Sequence, residues 1–327
     1  MSQARVVVVG LGPIGCEMVR ALAGRKTADV VGAADPVHAG KDLGEHVGIG
    51  KNGVVISASA KEAYAKSRGN VALLCTTSHV PSIAPQIEEA VGAGYAVVST
   101  CEELSFPSLR DPAWAERIDV LAREKGVGVI GTGVNPGFVM DRLPLAMAAT
   151  MVRVERVQVR RVVDASKRRG PLQKKVGNGI TPEEFHANVK AGKMGHVGLR
   201  ESVALIARGL GWKLDEISET VDCVVSTNQN PRSGVAEGRV AGVHQIAHGK
   251  RGGETVISLD LEMSMAAPEP HDRVQLAGDP PLDVLVQGGT QGDRGTVGAA
   301  VNAIPKVLSG PAGLRSIYDL PLFGVLI

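Results

Sequence analysis

Val6-Val7-Val8-Val9-Gly10-Leu11-Gly12-Pro13-Ile14-Gly15 lies near the start of the chain, and its reading decides the fold. Four consecutive valines predict a strand buried on both faces. A glycine-rich run follows at once, and Met18, Val19 and Leu22 then recur at helical spacing. Asp35 closes the next apolar run, Val30-Val31-Gly32-Ala33-Ala34, twenty residues after Gly15. The spacing G-x-G-x-x-G is weak evidence alone in a chain with 41 glycines. Between a strand and a helix, with an acid after the second strand, it becomes a dinucleotide-binding fingerprint. Gly10 permits the tight turn, Gly12 lets the backbone approach a pyrophosphate, and Gly15 lets helix and sheet pack closely. Leu11, Pro13 and Ile14 complete the loop, and the helix N-terminus offers N–H groups and partial positive charge. Asp35 is expected to accept from an adenosine ribose and repel a 2′-phosphate. NAD is therefore the first expectation, with NADP left open; the plainer reading of Asp35 is a turn carboxylate in Asp-Pro.

Working outward, buried runs recur at Val71–Cys75, Ala96–Ser99 and Val127–Ile130, with a shorter one at Val54–Ile56. Between them, Ile83, Ile87, Ala90 and Val91, then Trp114, Ile118, Leu121 and Ala122, have helical spacing. Continuous apolar strands alternating with helices predict an α/β, doubly wound parallel sheet, a Rossmann domain over residues 1–137. Thr76-Thr77-Ser78 ends one strand at the carboxyl edge, where ligands of such sheets bind; Thr76 and Thr77 are expected to line the cofactor or cap the next helix. After Gly131-Thr132-Gly133-Val134-Asn135-Pro136-Gly137 the pattern changes. A helix is expected from Met140 to Thr150. Val154–Val162 alternates with period two, and strands are expected at 223–226, 240–247, 255–265 and 283–287. Residues 138–327 are read as an α+β domain with a mostly antiparallel sheet, for substrate binding and dimerisation, the last ~30 residues returning to the first domain. Thr296–Leu308 is expected to be helical, with a kink or break at Pro305.

The 36 Lys+Arg and 34 Asp+Glu of the 327 residues give a net charge of +2, which argues against a nucleic-acid binder. Arg153–Lys175 carries nine basic and two acidic residues, but without interleaved aromatics it reads as a solvated face. No run suits a membrane span, and no leader pattern precedes Val6, so a cytoplasmic protein is expected. Cys16, Cys75, Cys101 and Cys223 are scattered, without metal-ligand spacing, so reduced thiols and no metal are expected.

Chemistry is carried by Ser99-Thr100-Cys101-Glu102-Glu103-Leu104, just past a strand of the parallel sheet. Adjacent carboxylates repel and burial raises a carboxyl pKa, so Glu102 or Glu103 suits a general acid or base; otherwise they are first-turn helix charges. This block and Gly131–Asp141 resemble signatures of the 2,4-diaminopentanoate dehydrogenase family, which includes the native amine dehydrogenases and is distantly akin to dihydrodipicolinate reductase. Further likeness lies in Arg161–Ser166, Pro171–Lys175 and Gly195–Ser202, spread over nearly the whole chain. The paired histidines of dihydrodipicolinate reductase and the Val-Thr-Ala-Asn-Lys segment of homoserine dehydrogenase are absent. Gly292-Asp293-Arg294-Gly295-Thr296 departs from the expected Gly-Asp-x-Ala-Thr at Gly295.

The resemblance implies reversible conversion of a primary amine to a ketone or aldehyde plus ammonia, with NAD(P), in a homodimer. It puts Glu102 at the catalytic position and Asn135 by the nicotinamide. Phe138, Met140, His196 and His271 become candidates for the substrate pocket, and Arg161 or Lys174 a partner for a substrate carboxylate. Another imine or carbonyl reductase, or a non-catalytic NAD(H) sensor, is the alternative.

Overall fold

The computed structural model describes residues 3–167, 173–174, 176–227, 233–321 and 324–325. The chain divides into two compact units, Met1–Phe138 with Gln291–Ile327, and Val139–Thr290.

In the first unit, β1 (Ala4–Val9), β2 (Ala28–Ala34), β3 (Val71–Leu74), β4 (Ala96–Ser99), β5 (Gly128–Gly131) and β12 (Gly313–Arg315) form a six-stranded sheet in the order β12-β5-β4-β3-β1-β2. Every pairing is parallel. The interior strands are buried at every position of β3, β4 and β5, the cause of their unbroken apolar sequence. The helices are α1 (Pro13–Leu22), α2 (Leu43–Val47), α3 (Ala60–Lys66), α4 (Val80–Gly92) and α5 (Pro112–Glu124). On α4, Ile83, Ile87, Ala90 and Val91 are wholly buried, and on α5 Trp114, Ile118 and Ala122 face the core. Strand order reverses between β1 and β3, the switch point of a doubly wound sheet.

Val54–Ile56 is not a strand of this sheet. Its backbone folds onto the preceding loop: Ile56 N–H donates to Lys41 O, and Gly40 N–H to Ile56 O. Val54 N–H donates to Asn52 Oδ1 and Val54 O accepts Leu43 N–H, so the segment is satisfied locally.

The second unit contains α6 (Arg142–Ala148), β6 (Arg153–Asp164), α7 (Pro182–Lys190), α8 (Leu199–Gly209), β7 (Glu216–Val225), β8 (Val240–Arg251), β9 (Glu254–Ser264), β10 (His271–Asp279) and β11 (Leu282–Gln287). The sheet order is β11-β10-β6-β9-β8-β7. It is mixed: β6 and β9 run parallel, and the other pairs are antiparallel. On β6, Val157, Val159 and Arg161 point inward while Gln158 and Arg160 face outward.

The last helix, α9 (Gly292–Ser309), belongs to the first unit and runs through both Gly295 and Pro305. A proline removes one helical donor, but Val297, Ala300, Val301, Ile304 and Val307 are buried on one face against α1 and β4. That burial keeps the helix continuous where a break is expected.

Candidate active site

The carboxyl ends of β1, β2, β3, β4 and β5 gather the fingerprint and the carboxylates on one edge of the first unit. Gly10 sits at φ +89°, and a Cβ there would come within 2.8 Å of Thr76 Cγ2 and 3.0 Å of Cys75 O. Gly15 packs against the Gly10 carbonyl so closely that any side chain would collide with it. A Cβ on Gly12, by contrast, would meet nothing within 4 Å. Gly12 also precedes α1 with no side-chain cap, Pro13 occupies the first turn, and no acid stands in that turn. The helix therefore presents its first N–H groups to open space, where an anion is stabilised.

Asp35 follows β2 and is half-buried. One carboxylate oxygen accepts Leu11 N–H at 2.9 Å and the other Val37 N–H at 2.9 Å. A carboxylate has about four acceptor sites, so capacity for a ribose diol remains. These residues fit a dinucleotide: the uncapped helix suits its pyrophosphate and the acid suits its ribose. Both threonine hydroxyls have partners within the unit, Thr76 Oγ1 donating to Gln86 Oε1 at 2.8 Å and Thr77 Oγ1 accepting His79 N–H at 3.3 Å.

The two glutamates diverge. Glu102 opens a 3-10 turn, Glu102–Ser105, and is half-buried. Glu103 is 6% exposed. Its Oε2 accepts Val80 N–H at 2.7 Å at the start of α4, and its Oε1 lies 3.2 Å from both His79 Nδ1 and Arg110 Nε. Glu103 thus binds the β3–α4 loop to the 3-10 turn, doing the capping that His79 does not do for α4. Cys101, immediately before the pair, is buried, and desolvation pushes its thiol up to about 12.

After β5, Asn135 is 8% exposed and joins Pro136 through a cis peptide bond. Val134 N–H donates to Thr296 Oγ1 of α9 at 3.4 Å, so the Thr296 contact exists although Gly295 departs from the expected alanine. Phe138, at the end of this loop, is 40% exposed.

The remaining candidates belong to the second unit. Met140 is wholly buried. Arg161 is 3% exposed, with Nη1 3.1 Å from Asp272 Oδ1 and Nη2 donating to Thr290 O at 2.7 Å. Asp272, 1% exposed, also accepts Thr290 N–H at 2.6 Å. This pair ties β6 to β10 and engages the guanidinium. His196 is held through its backbone: Gln245 accepts its N–H and donates to its carbonyl, each at 2.8 Å. His271 Nδ1 lies 2.7 Å from Glu269 O. Lys174 is exposed, while Pro171, Leu172 and Lys175 of the same block lie outside the described residues.

A 2,4-diaminopentanoate dehydrogenase from Acetoanaerobium sticklandii is 32% identical over 98% of this chain and 94% of its own. The family model of the 2,4-diaminopentanoate dehydrogenase C-terminal domain matches residues 138–327. The chain belongs to the 2,4-diaminopentanoate dehydrogenase family. An amine dehydrogenase from Streptomyces virginiae is 25% identical over 97% of this chain and 96% of its own. The solved structure of the amine dehydrogenase from Mycobacterium smegmatis has the same fold, with a TM-score of 0.83, 22% identity, and coverage of 99% and 97% of the two chains.

Within the blocks that resemble this family, structure adds roles that sequence reading missed. Asp141 is fully buried and accepts Ser202 Oγ at 2.7 Å, joining the Gly131–Asp141 block to the Gly195–Ser202 block. His79 and Arg110, the partners of Glu103, carry no motif of their own.

Proposed function

We propose that the protein is an NAD(P)-dependent amine dehydrogenase. It converts a primary amine, oxidised nicotinamide cofactor and water to a ketone or aldehyde, ammonia and reduced cofactor, and runs in reverse as a reductive amination. The observation that carries this reading is Glu102, standing on the nucleotide edge of the parallel sheet beside a Glu103 that is engaged in holding that edge together. The relative at 32% identity supports the substrate class.

The cofactor supplies the two-electron acceptor when bound. Gly10, Gly12 and the start of α1 would hold its pyrophosphate, with Gly15 packing the helix against that turn, and Asp35 would hold its adenosine ribose, which favours NAD. Glu102 does the proton chemistry. An ammonium has a pKa on the order of 10, so the amine must lose a proton before its carbon can be oxidised. Glu102 attracts the cation, accepts that proton and releases it to solvent; it then takes one from the water that attacks the iminium carbon and returns it to the departing ammonia. In the amination direction it orients ammonia. Asn135 is the candidate for the nicotinamide end, and Phe138, Met140, His196 and His271 for the substrate pocket.

The second sheet is packed by helices on one face and presents Gln158, Arg160, Asp260 and Arg273 on the other. That face supports a homodimer, and light scattering at twice the chain mass checks it. Among the described residues no helix is long and apolar enough to cross a membrane. A cytoplasmic setting is the reading supported by the four cysteines, which are unpaired with one another.

The test follows absorbance of the reduced cofactor as purified protein acts on a panel of amines with NAD or NADP. The panel includes 2,4-diaminopentanoate, other amino acids and simple alkyl amines. Reduction of the cofactor by an amine, with a carbonyl product, is expected. Tight cofactor binding without turnover across the panel would overturn the reading in favour of an NAD(H) sensor. Because the Arg161 guanidinium is engaged with Asp272, a carboxylate-free amine accepted as well as 2,4-diaminopentanoate would show that no substrate carboxylate is read.

A further inference from the structure

The second unit brings together three side chains that no sequence motif links. His186 lies on α7, and Asp222 and Cys223 are consecutive on β7, the edge strand of the sheet. One imidazole nitrogen, one carboxylate oxygen and Sγ lie within 4.8 Å of one another. His186 Nε2 is 2.9 Å from Asp222 Oδ1, and that oxygen also accepts Cys223 N–H at 2.7 Å. His186 and Asp222 are exposed, so a hydrated ion reaches them directly.

The local field favours a cation. Glu183, one turn before His186 on α7, adds a second carboxylate. Two carboxylates beside a sulfur disfavour a bare thiolate, and a bound divalent ion reverses that preference.

We propose that His186, Asp222 and Cys223 form a binding site for one divalent cation of the zinc class, clamping α7 to the edge of the sheet. Tetrahedral zinc holds sulfur at about 2.3 Å and nitrogen or oxygen at about 2.0 Å, so its ligand atoms stand roughly 3.3–3.6 Å apart. The observed cluster reaches that by side-chain rotation: the His186–Asp222 contact opens slightly and Sγ closes in. Thiolate with imidazole selects zinc-like ions over magnesium or calcium, whose sites are built from oxygen. On binding, the S–H bond is replaced by a sulfur–metal bond and the proton leaves to solvent. Water, or Glu183, takes the fourth position. None of these residues is among those assigned to the cofactor, the proton chemistry or the substrate pocket, and the role proposed for the site is structural.

The test uses the full-length protein, stripped of metal and titrated with Co2+ alone, then with Zn2+. One Co2+ per chain is expected, with thiolate-to-cobalt charge-transfer absorbance in the near ultraviolet, displaced by Zn2+. Zn2+ alone should raise the melting temperature. Cys223→Ser should abolish the absorbance, and His186→Ala, on an exposed helix face, should weaken Co2+ binding by about tenfold or more. No charge-transfer absorbance at millimolar Co2+ would overturn the proposal. So would absorbance that survives Cys223→Ser and disappears in Cys16→Ser, because Cys16 Sγ lies 3.9 Å from His46 Nε2 and is the competing thiol–imidazole pair.

Discussion

Glu102 and Glu103 are neighbours in sequence that differ in burial, Glu102 half-buried and Glu103 buried. Glu103 accepts a buried backbone N–H and faces Arg110 and His79, so it positions the turn. Glu102→Gln is expected to lower kcat by 10²–10⁴-fold, the usual worth of a general acid or base, with cofactor affinity and melting temperature unchanged. Glu103→Ala should instead destabilise the fold by about 2 kcal/mol, because Val80 N–H and the Arg110 guanidinium lose their acceptor. Steady-state kinetics with thermal melts on both variants separates the roles; full activity in Glu102→Gln would contradict the assignment. Asp35→Ala should weaken NADH binding by about tenfold or more and narrow the gap to NADPH, since it deletes the ribose acceptor and the repulsion of a 2′-phosphate. Fluorescence titration with both reduced cofactors reads it, and an unchanged ratio would remove Asp35 from cofactor choice.

At the scale of elements, the buried Arg161–Asp272 pair joins two neighbouring strands, β6 and β10. Arg161→Ala should cost about 3–5 kcal/mol in urea unfolding by leaving Asp272 buried and uncompensated. Arg161→Met with Asp272→Asn should recover much of that loss, because no buried charge remains. A double variant as unstable as the single one would contradict this account. On the neighbouring hairpin, Arg273 and Gln275 hold the Asp283 carboxyl down to about 2. A depressed carboxyl contributes stability that is present above its unfolded value near 3.9 and is lost as pH falls through about 2. Asp283→Asn should therefore lose less stability than the parent between pH 4 and pH 2, measured as urea midpoints; equal losses would rule the pair out as a contributor.

These same elements show what a sequence can and cannot reveal. The valine run of β1, the three glycines and Asp35 were legible because each obeys a local rule of burial, backbone freedom or spacing. Strand β10 was not, because its inward positions read Asp272, Val274 and Leu276, and the aspartate interrupts the apolar alternation. Arg161, paired from another strand, and the Thr290 N–H make an inward aspartate tolerable. The contacts of Glu103 were hidden for a similar reason: they come from His79, Val80 and Arg110, which no motif links to it. Val54–Ile56 has strand-like residues, yet Asn52 and Lys41 satisfy its backbone before the sheet can.

For the molecule as a whole, the parallel sheet sets a nucleotide cradle and a carboxylate on one edge, while the second unit supplies a separate sheet. The central claim is that this assembly joins ammonia to a carbonyl. Initial rates of NADH oxidation with 2-amino-4-oxopentanoate, measured against rising ammonia, test it most directly. The account predicts a rate that is negligible without ammonia and saturates as ammonia increases. Oxidation of NADH that proceeds at the same rate without ammonia would contradict it and identify a carbonyl reductase instead.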